Sequence, residues 1–155
     1  MRLAALALLA LALVLVALLS STYFVRVATE SMAPTLLVGD RLLVVRRAVL
    51  PRRSPRRGQV VVFTAAGDRS RRLVKRVAAV GGDTVPADRG TALGARRREV
   101  AVPPGGLYVL GDNGRASHDS REYGCIGTDR VKGRALLVVW PPGRARRVRC
   151  APPPA

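Results

Sequence analysis

The chain opens on an apolar run with no period. From Leu3 to Leu19 every residue is Leu, Ala or Val, and the uncharged stretch continues through Ser-Ser-Thr-Tyr-Phe to Val25. As a helix at about 1.5 Å per residue, this stretch would be about 35 Å long, enough to cross a bilayer with some tilt. Tyr23 and Phe24 would then lie near the interface, where amphipathic aromatics collect. A cleaved secretory signal is the competing reading, since Arg2 gives a basic start. The run exceeds the apolar core of such signals and no clean small-x-small site ends it, which favours a retained anchor over residues 1–25. Arg2 and Arg26 nearly balance across it, so the positive-inside rule decides little about orientation.

Beyond Arg26 the pattern shortens to strands and turns. "GDRLLVVRR" starts at a Gly-Asp turn and runs into a strand, and "QVVVFTA" is a continuous β-branched run suited to a buried one. "RRLVKRVAAV" is a further strand that stops at "GGDTV"; "EVAVPPGGLYVLGDN" holds two short strands, and "VKGRALLVVWPPG" the last. "AVLPRRSPRRG", residues 86–98 and "GRASHDSREYGCIGTDR" read as loops, and residues 149–155 as a flexible Pro-rich tail. No amphipathic helix of three turns follows residue 25. The expected class is mainly β, an antiparallel sheet domain over residues 26–148 behind one N-terminal transmembrane helix.

Charge changes the picture of partners. The formal net charge is +17, which favours anionic partners. The arginines are scattered and few aromatics interleave with them, so a nucleic-acid stacking platform is not expected and attraction to anionic lipid is. Cys125 and Cys150 are the two cysteines and His118 the one histidine, too few for a structural zinc site. The spacing leaves open whether the cysteines pair.

Of 27 basic residues only Lys75 and Lys132 are lysine. Arginine stays protonated, whereas a buried lysine can lose its proton and act as a base. Alternation groups Lys75 with Leu73 and Val77, and turns Arg72 and Arg76 to the other face. Lys132 follows a turn and reads as exposed. On the residues alone, a strand lysine whose stem covers the core is an equal alternative for Lys75. A base needs a nucleophile. His118 lies between Ser117 and Asp119, and adjacent residues rarely face one another in a triad. That leaves a serine with a lysine.

At this point the sequence resembles the type I signal peptidases, membrane-anchored Ser-Lys endopeptidases that remove signal peptides from exported proteins. "ESMAPTL" is similar to their nucleophile box, "VGDRLLV" and "RRGQVVVF" to the strand boxes that follow, "LVKRVAAVGGDTV" to the Lys-Arg-Val box, and "LYVLGDNGRASHDSREYG" to the Gly-Asp-Asn box. The blocks stand in order. The resemblance implies Ser31 as nucleophile and Lys75 as general base. It implies Ser117 as the group orienting the lysine amine, and the Ser31 N–H with the Thr29 hydroxyl as the oxyanion hole. Asp112, Asp119 and Arg121 would hold the last loop in place. It further implies cleavage of exported preproteins after small residues (Ala-x-Ala type), no cofactor and no metal. The catalytic domain would stand on the extracytoplasmic face of the plasma membrane. A relative dedicated to one substrate, and a non-enzymatic membrane-anchored basic protein, are the alternatives. Glu30 stands where the family has a small residue, Gln59 where an Asp is common, and Gly114 where a charge often follows the Asn.

Overall fold

The computed structural model describes residues 2–51, 55–65, 67, 68, 70–86 and 99–152. Helix α1 covers Arg2–Ser21, as expected of Leu and Ala, both strong helix formers, with no Gly or Pro between them. Ser20 and Ser21 turn their hydroxyls back onto the carbonyl of Ala17 and close it. Leu6, Leu11 and Val16 are each more than 60% exposed, so the helix is apolar on every side and its described side chains are not buried against the domain. Among the described residues no helix is long and apolar enough to cross a membrane.

The helix ends four residues before the boundary expected at Val25. Thr22–Arg26 form strand β1, paired antiparallel with β2 (Arg41–Arg46), Thr22 opposite Val45 and Arg26 opposite Arg41. Tyr23 and Val25 pack on the core while Phe24 points out. This two-residue period is hidden in the sequence because it starts inside an uninterrupted apolar run.

The remaining strands are β3 (Val60–Thr64), β4 (Arg72–Val80), β5 (Thr84–Pro86), β6 (Glu99–Ala101), β7 (Gly106–Leu110), β8 (Ile126–Gly127), β9 (Val131–Trp140) and β10 (Arg146–Arg147). The main sheet has the order β1-β2-β9-β3-β4-β7-β8 with β10 on β9, and β5 pairs with β6 as a separate hairpin. Every pairing is antiparallel. Central β3 is buried along its whole length. Its Val60 and Val62 join Met32, Leu36, Leu42 and Val44 in one apolar cluster. Its Val61 and Phe63 join Val77, Leu107, Val109 and Ile126 in another. A strand covered on both faces has no polar side, hence the unbroken "VVVF".

Two expected loops are more ordered than the sequence suggested. Residues 114–130 hold a short helix α2 (Ser120–Tyr123) and β8, with Asp119 as the N-cap of α2 accepting the Arg121 N–H. The proposed tail is docked at its start. The Val148 N–H donates to Leu136 O, Ala151 N–H to Gly58 O, and the Cys150 thiol to Arg57 O. Gly58 has φ +81°, and a Cβ there would meet Ala151 O at 2.6 Å. Residues 87–98, most of one expected loop, and 153–155 lie outside the described residues. Cys125 and Cys150 are both free thiols.

Candidate active site

Ser31 is the middle residue of a 3-10 turn, Glu30–Met32, that follows β1. The side chains around it fix the turn: Val27, Met32 and Leu36 are all buried in the first apolar cluster. The segment is closed at its base by Val27 N–H to Asp40 O at 2.8 Å and Gly39 N–H to Val27 O at 2.9 Å. The Asp40 carboxylate accepts from Leu37 N–H and from Arg144, each at 3.0 Å. The Ser31 carbonyl accepts the Asn113 N–H at 3.0 Å, which joins the turn to the loop after β7. That approach requires Gly111, since a Cβ there would collide with both Ser31 O and Ser117 Oγ. Ser31 is 5% exposed, and its Oγ shares a hydrogen bond of 3.2 Å with Thr29 Oγ1.

Lys75 lies in the middle of β4 opposite Val61. It is 4% exposed and, among the described residues, its amine has no hydrogen-bond or ion-pair partner. Burial pushes its pKa below the usual lysine value; Arg121 pushes the same way, while Asp119 and Asp112 pull it back up. The neutral amine is therefore favoured relative to a lysine in water. Ser31, Lys75 and Thr29 line one cavity of about 310 Å3, walled by Phe63, Leu73, Tyr123 and Ile126. The alternation read from the sequence thus holds for Lys75.

For Arg76 it does not mean exposure. Arg76 is 2% exposed and clasps Asp112 with two bonds, Nε to Oδ1 at 2.8 Å and Nη2 to Oδ2 at 2.6 Å. It also donates to the carbonyls of Gly58 at 2.7 Å and Arg149 at 3.0 Å. Sequence reasoning missed this residue because an arginine on an alternate strand position is ordinarily solvated.

Asp119 is fully buried and organises the last loop. It accepts from Gly111 N–H at 2.9 Å, Ser117 Oγ at 2.6 Å, and Arg121 Nε and Nη2 at 2.9 Å each. Burial raises its pKa, but the bonds from Arg121, Gly111 and Ser117 outweigh it and hold the carboxyl below its ordinary value. The Ser117 hydroxyl is turned to Asp119 and not to Lys75. His118 is exposed, pairs with Glu122 and lies against the ring of Tyr123; it also lines the cavity of Ser31 and Lys75, with its imidazole bonded to Glu122 and not to Ser31.

A comparison of the sequence with known families matches residues 1–93 and 87–140 to the one described as signal peptidase, peptidase S26. The chain is 30% identical to the mitochondrial inner membrane protease subunit 2 of Danio rerio, over 85% of this chain and 72% of that protein. It is 31% identical to a signal peptidase I of Leptolyngbya laminosa, over 83% of this chain and 73% of that one. A crystal structure of a signal peptidase I from Enterococcus faecalis overlays with a TM-score of 0.41 at 22% identity, covering 53% of this chain and 97% of that one.

Proposed function

The chain belongs to the signal peptidase family, peptidase S26, and is a hydrolase of the serine peptidase kind; from that premise we propose that it is a membrane-held endopeptidase that cleaves signal peptides from exported preproteins with a Ser31–Lys75 dyad. The observation that carries the reading is the burial of Ser31 and Lys75 in one cavity, the lysine without a counter-ion among the described residues and depressed in pKa by desolvation.

The neutral Lys75 amine takes the Ser31 hydroxyl proton as Oγ attacks the scissile carbonyl. The oxyanion is met by the Ser31 N–H, in the first turn of a 3-10 segment where donors lack intrahelical partners, and by the Thr29 hydroxyl. The tetrahedral adduct collapses to an acyl-enzyme. The amine of the mature chain departs with the proton held by Lys75, and water, deprotonated by the same amine, releases the signal peptide. The Ser117 hydroxyl bonds Asp119, and in this reading it orients the lysine once it turns from that carboxylate. Asp112 and Arg121 serve the loop, through Arg76 and Asp119 respectively. The preference for small residues before the cut belongs to this proposal.

Helix α1 supplies the placement: its described residues alone do not make up a membrane span, but an exposed helix that is apolar on all sides is stabilised by an apolar surrounding. We place it in the plasma membrane as a single-pass anchor, with the sheet domain on the extracytoplasmic side, preproteins as partners, anionic lipid around it and no nucleic acid bound. The test is turnover of a precursor ending in Ala-x-Ala by purified protein. Ser31→Ala and Lys75→Arg are each expected to abolish it with the domain folded, and turnover surviving in Lys75→Arg would remove the dyad.

A further inference from the structure

The end of the sheet from which α1 emerges carries cations without counter-ions. Pairing sets Thr22 opposite Val45, Arg46 opposite Gly133, Phe63 opposite Val131 and Thr64 opposite Arg72. The first residue of β1 therefore shares one edge of the domain with the ends of β2 and β3 and the starts of β4 and β9. There the guanidiniums of Arg46 and Arg72 both lie over the ring of Tyr23, at 5.1 and 5.3 Å from its centroid. Both arginines are exposed, and among the described residues neither forms an ion pair.

The facing carboxylates do not neutralise them. Asp68 is taken up by the N–H and hydroxyl of Ser70 and the N–H of Arg71. Asp129 stands on the turn before β9, beside Arg130 and Lys132, and adds to a depression that those cations also line. The aromatic face offsets part of the repulsion between the two guanidiniums. It leaves their N–H donors, suited to paired phosphate oxygens, in solvent.

We propose that Arg46 and Arg72 bind the phosphate of anionic phospholipid headgroups and press this edge of the domain onto the bilayer. The inference rests on the placement of α1 in a membrane argued above. Tyr23 stands two residues beyond the end of α1, about 7 Å of chain from the helix terminus, so the ring that carries the two guanidiniums lies at headgroup level when α1 is in the bilayer. Arg71, next to Arg72 in the chain, and Arg130, just before the start of β9 on the same edge, line the cavity that holds Ser31 and Lys75. Docking along this edge therefore brings the mouth of the cavity to the surface from which a membrane-inserted signal peptide emerges.

The test uses the full chain reconstituted in phosphatidylcholine bilayers, with spin-labelled phosphatidylglycerol compared with spin-labelled phosphatidylcholine as boundary lipid. The wild type is expected to select phosphatidylglycerol, and each guanidinium removed to cost about fivefold in that preference at low salt. Arg46→Gln/Arg72→Gln loses the selection and Arg46→Lys/Arg72→Lys keeps most of it, while turnover of a soluble peptide in detergent stays at the wild-type rate. Equal selection in wild type and the Gln variant overturns the proposal. So does a loss of precursor cleavage of equal size in purely zwitterionic bilayers, which would assign the arginines to the substrate. Flotation of all variants with vesicles in high salt reports on α1 separately: protein that fails to float refutes the membrane placement, not the lipid selection.

Discussion

Lys75 and Arg76 are adjacent in β4, leave it on opposite faces, and are both buried, at 4% and 2% exposure. Their electrostatic solutions are opposite. Arg76 is met by a carboxylate and two carbonyls, so its charge is satisfied. Lys75 has no such partner among the described residues, and its burial disfavours the charge. One strand thus holds a permanent cation as a structural tie and, one residue earlier, a lysine whose neutral form is favoured, as the proposed base requires.

Lysine burial costs stability that an apolar side chain would not. The folded-state pKa of Lys75 lies below its unfolded value, so between the two the unfolded chain binds more protons and stability rises with pH. Lys75→Met is expected to be inactive but more stable than wild type. Its advantage is full below the depressed pKa and vanishes as pH climbs to the ordinary lysine value of about 10.4. Urea midpoints across that range measure it; a variant less stable than wild type at every pH would contradict the buried, unpaired state.

The Arg76–Asp112 pair gives the reverse result. Asp112→Ala leaves a buried guanidinium with only two carbonyl acceptors and is expected to cost about 3 kcal/mol, the low end for breaking a buried pair. Arg76→Met/Asp112→Leu, which removes both charges, should cost less than either single change. Chemical denaturation of the three variants decides it, and additive losses would mean that the two side chains act independently.

Gly111 sets the distance between the Ser31 turn and the last loop. A Cβ at this position collides with Ser31 O and Ser117 Oγ, so Gly111→Ala must displace one of them. A shift of about 1 Å at the reacting groups costs about 10²-fold in rate. The expected result is a fall of that size in kcat with circular dichroism unchanged; wild-type kcat would show that Ser117 and the Ser31 carbonyl need not stay in place.

Much of this was legible from residue pattern. Val-rich runs gave β2, β3, β4, β7 and β9, because a buried strand leaves a local signature. The scarcity of lysine marks Lys75 on the residues alone. What was not legible depends on distance in the chain. Arg76 is buried because Asp112 and the carbonyl of Arg149 come to it from elsewhere, and the tail is held by Gly58, far away in sequence. The start of β1 was masked by the apolar run that precedes it. Helix α2 could have been found: Asp119-Ser-Arg-Glu122 has the spacing of a capping box.

No linker separates α1 from β1, since the helix ends at Ser21 and the strand begins at Thr22. With the helix in a bilayer, the five residues of β1 become a fixed spacer of about 17 Å, and the nucleophile turn follows one short step beyond it. On the proposed function, the molecule would then work as a ruler, choosing among scissile bonds by their height above the lipid as well as by fit. Lengthening the joint with a Gly-Ser insert after Ser21 should blur that choice, and mass spectrometry of the mature N-termini would show several cuts where the wild type makes one. A single unchanged cut would place the selection wholly in the cavity.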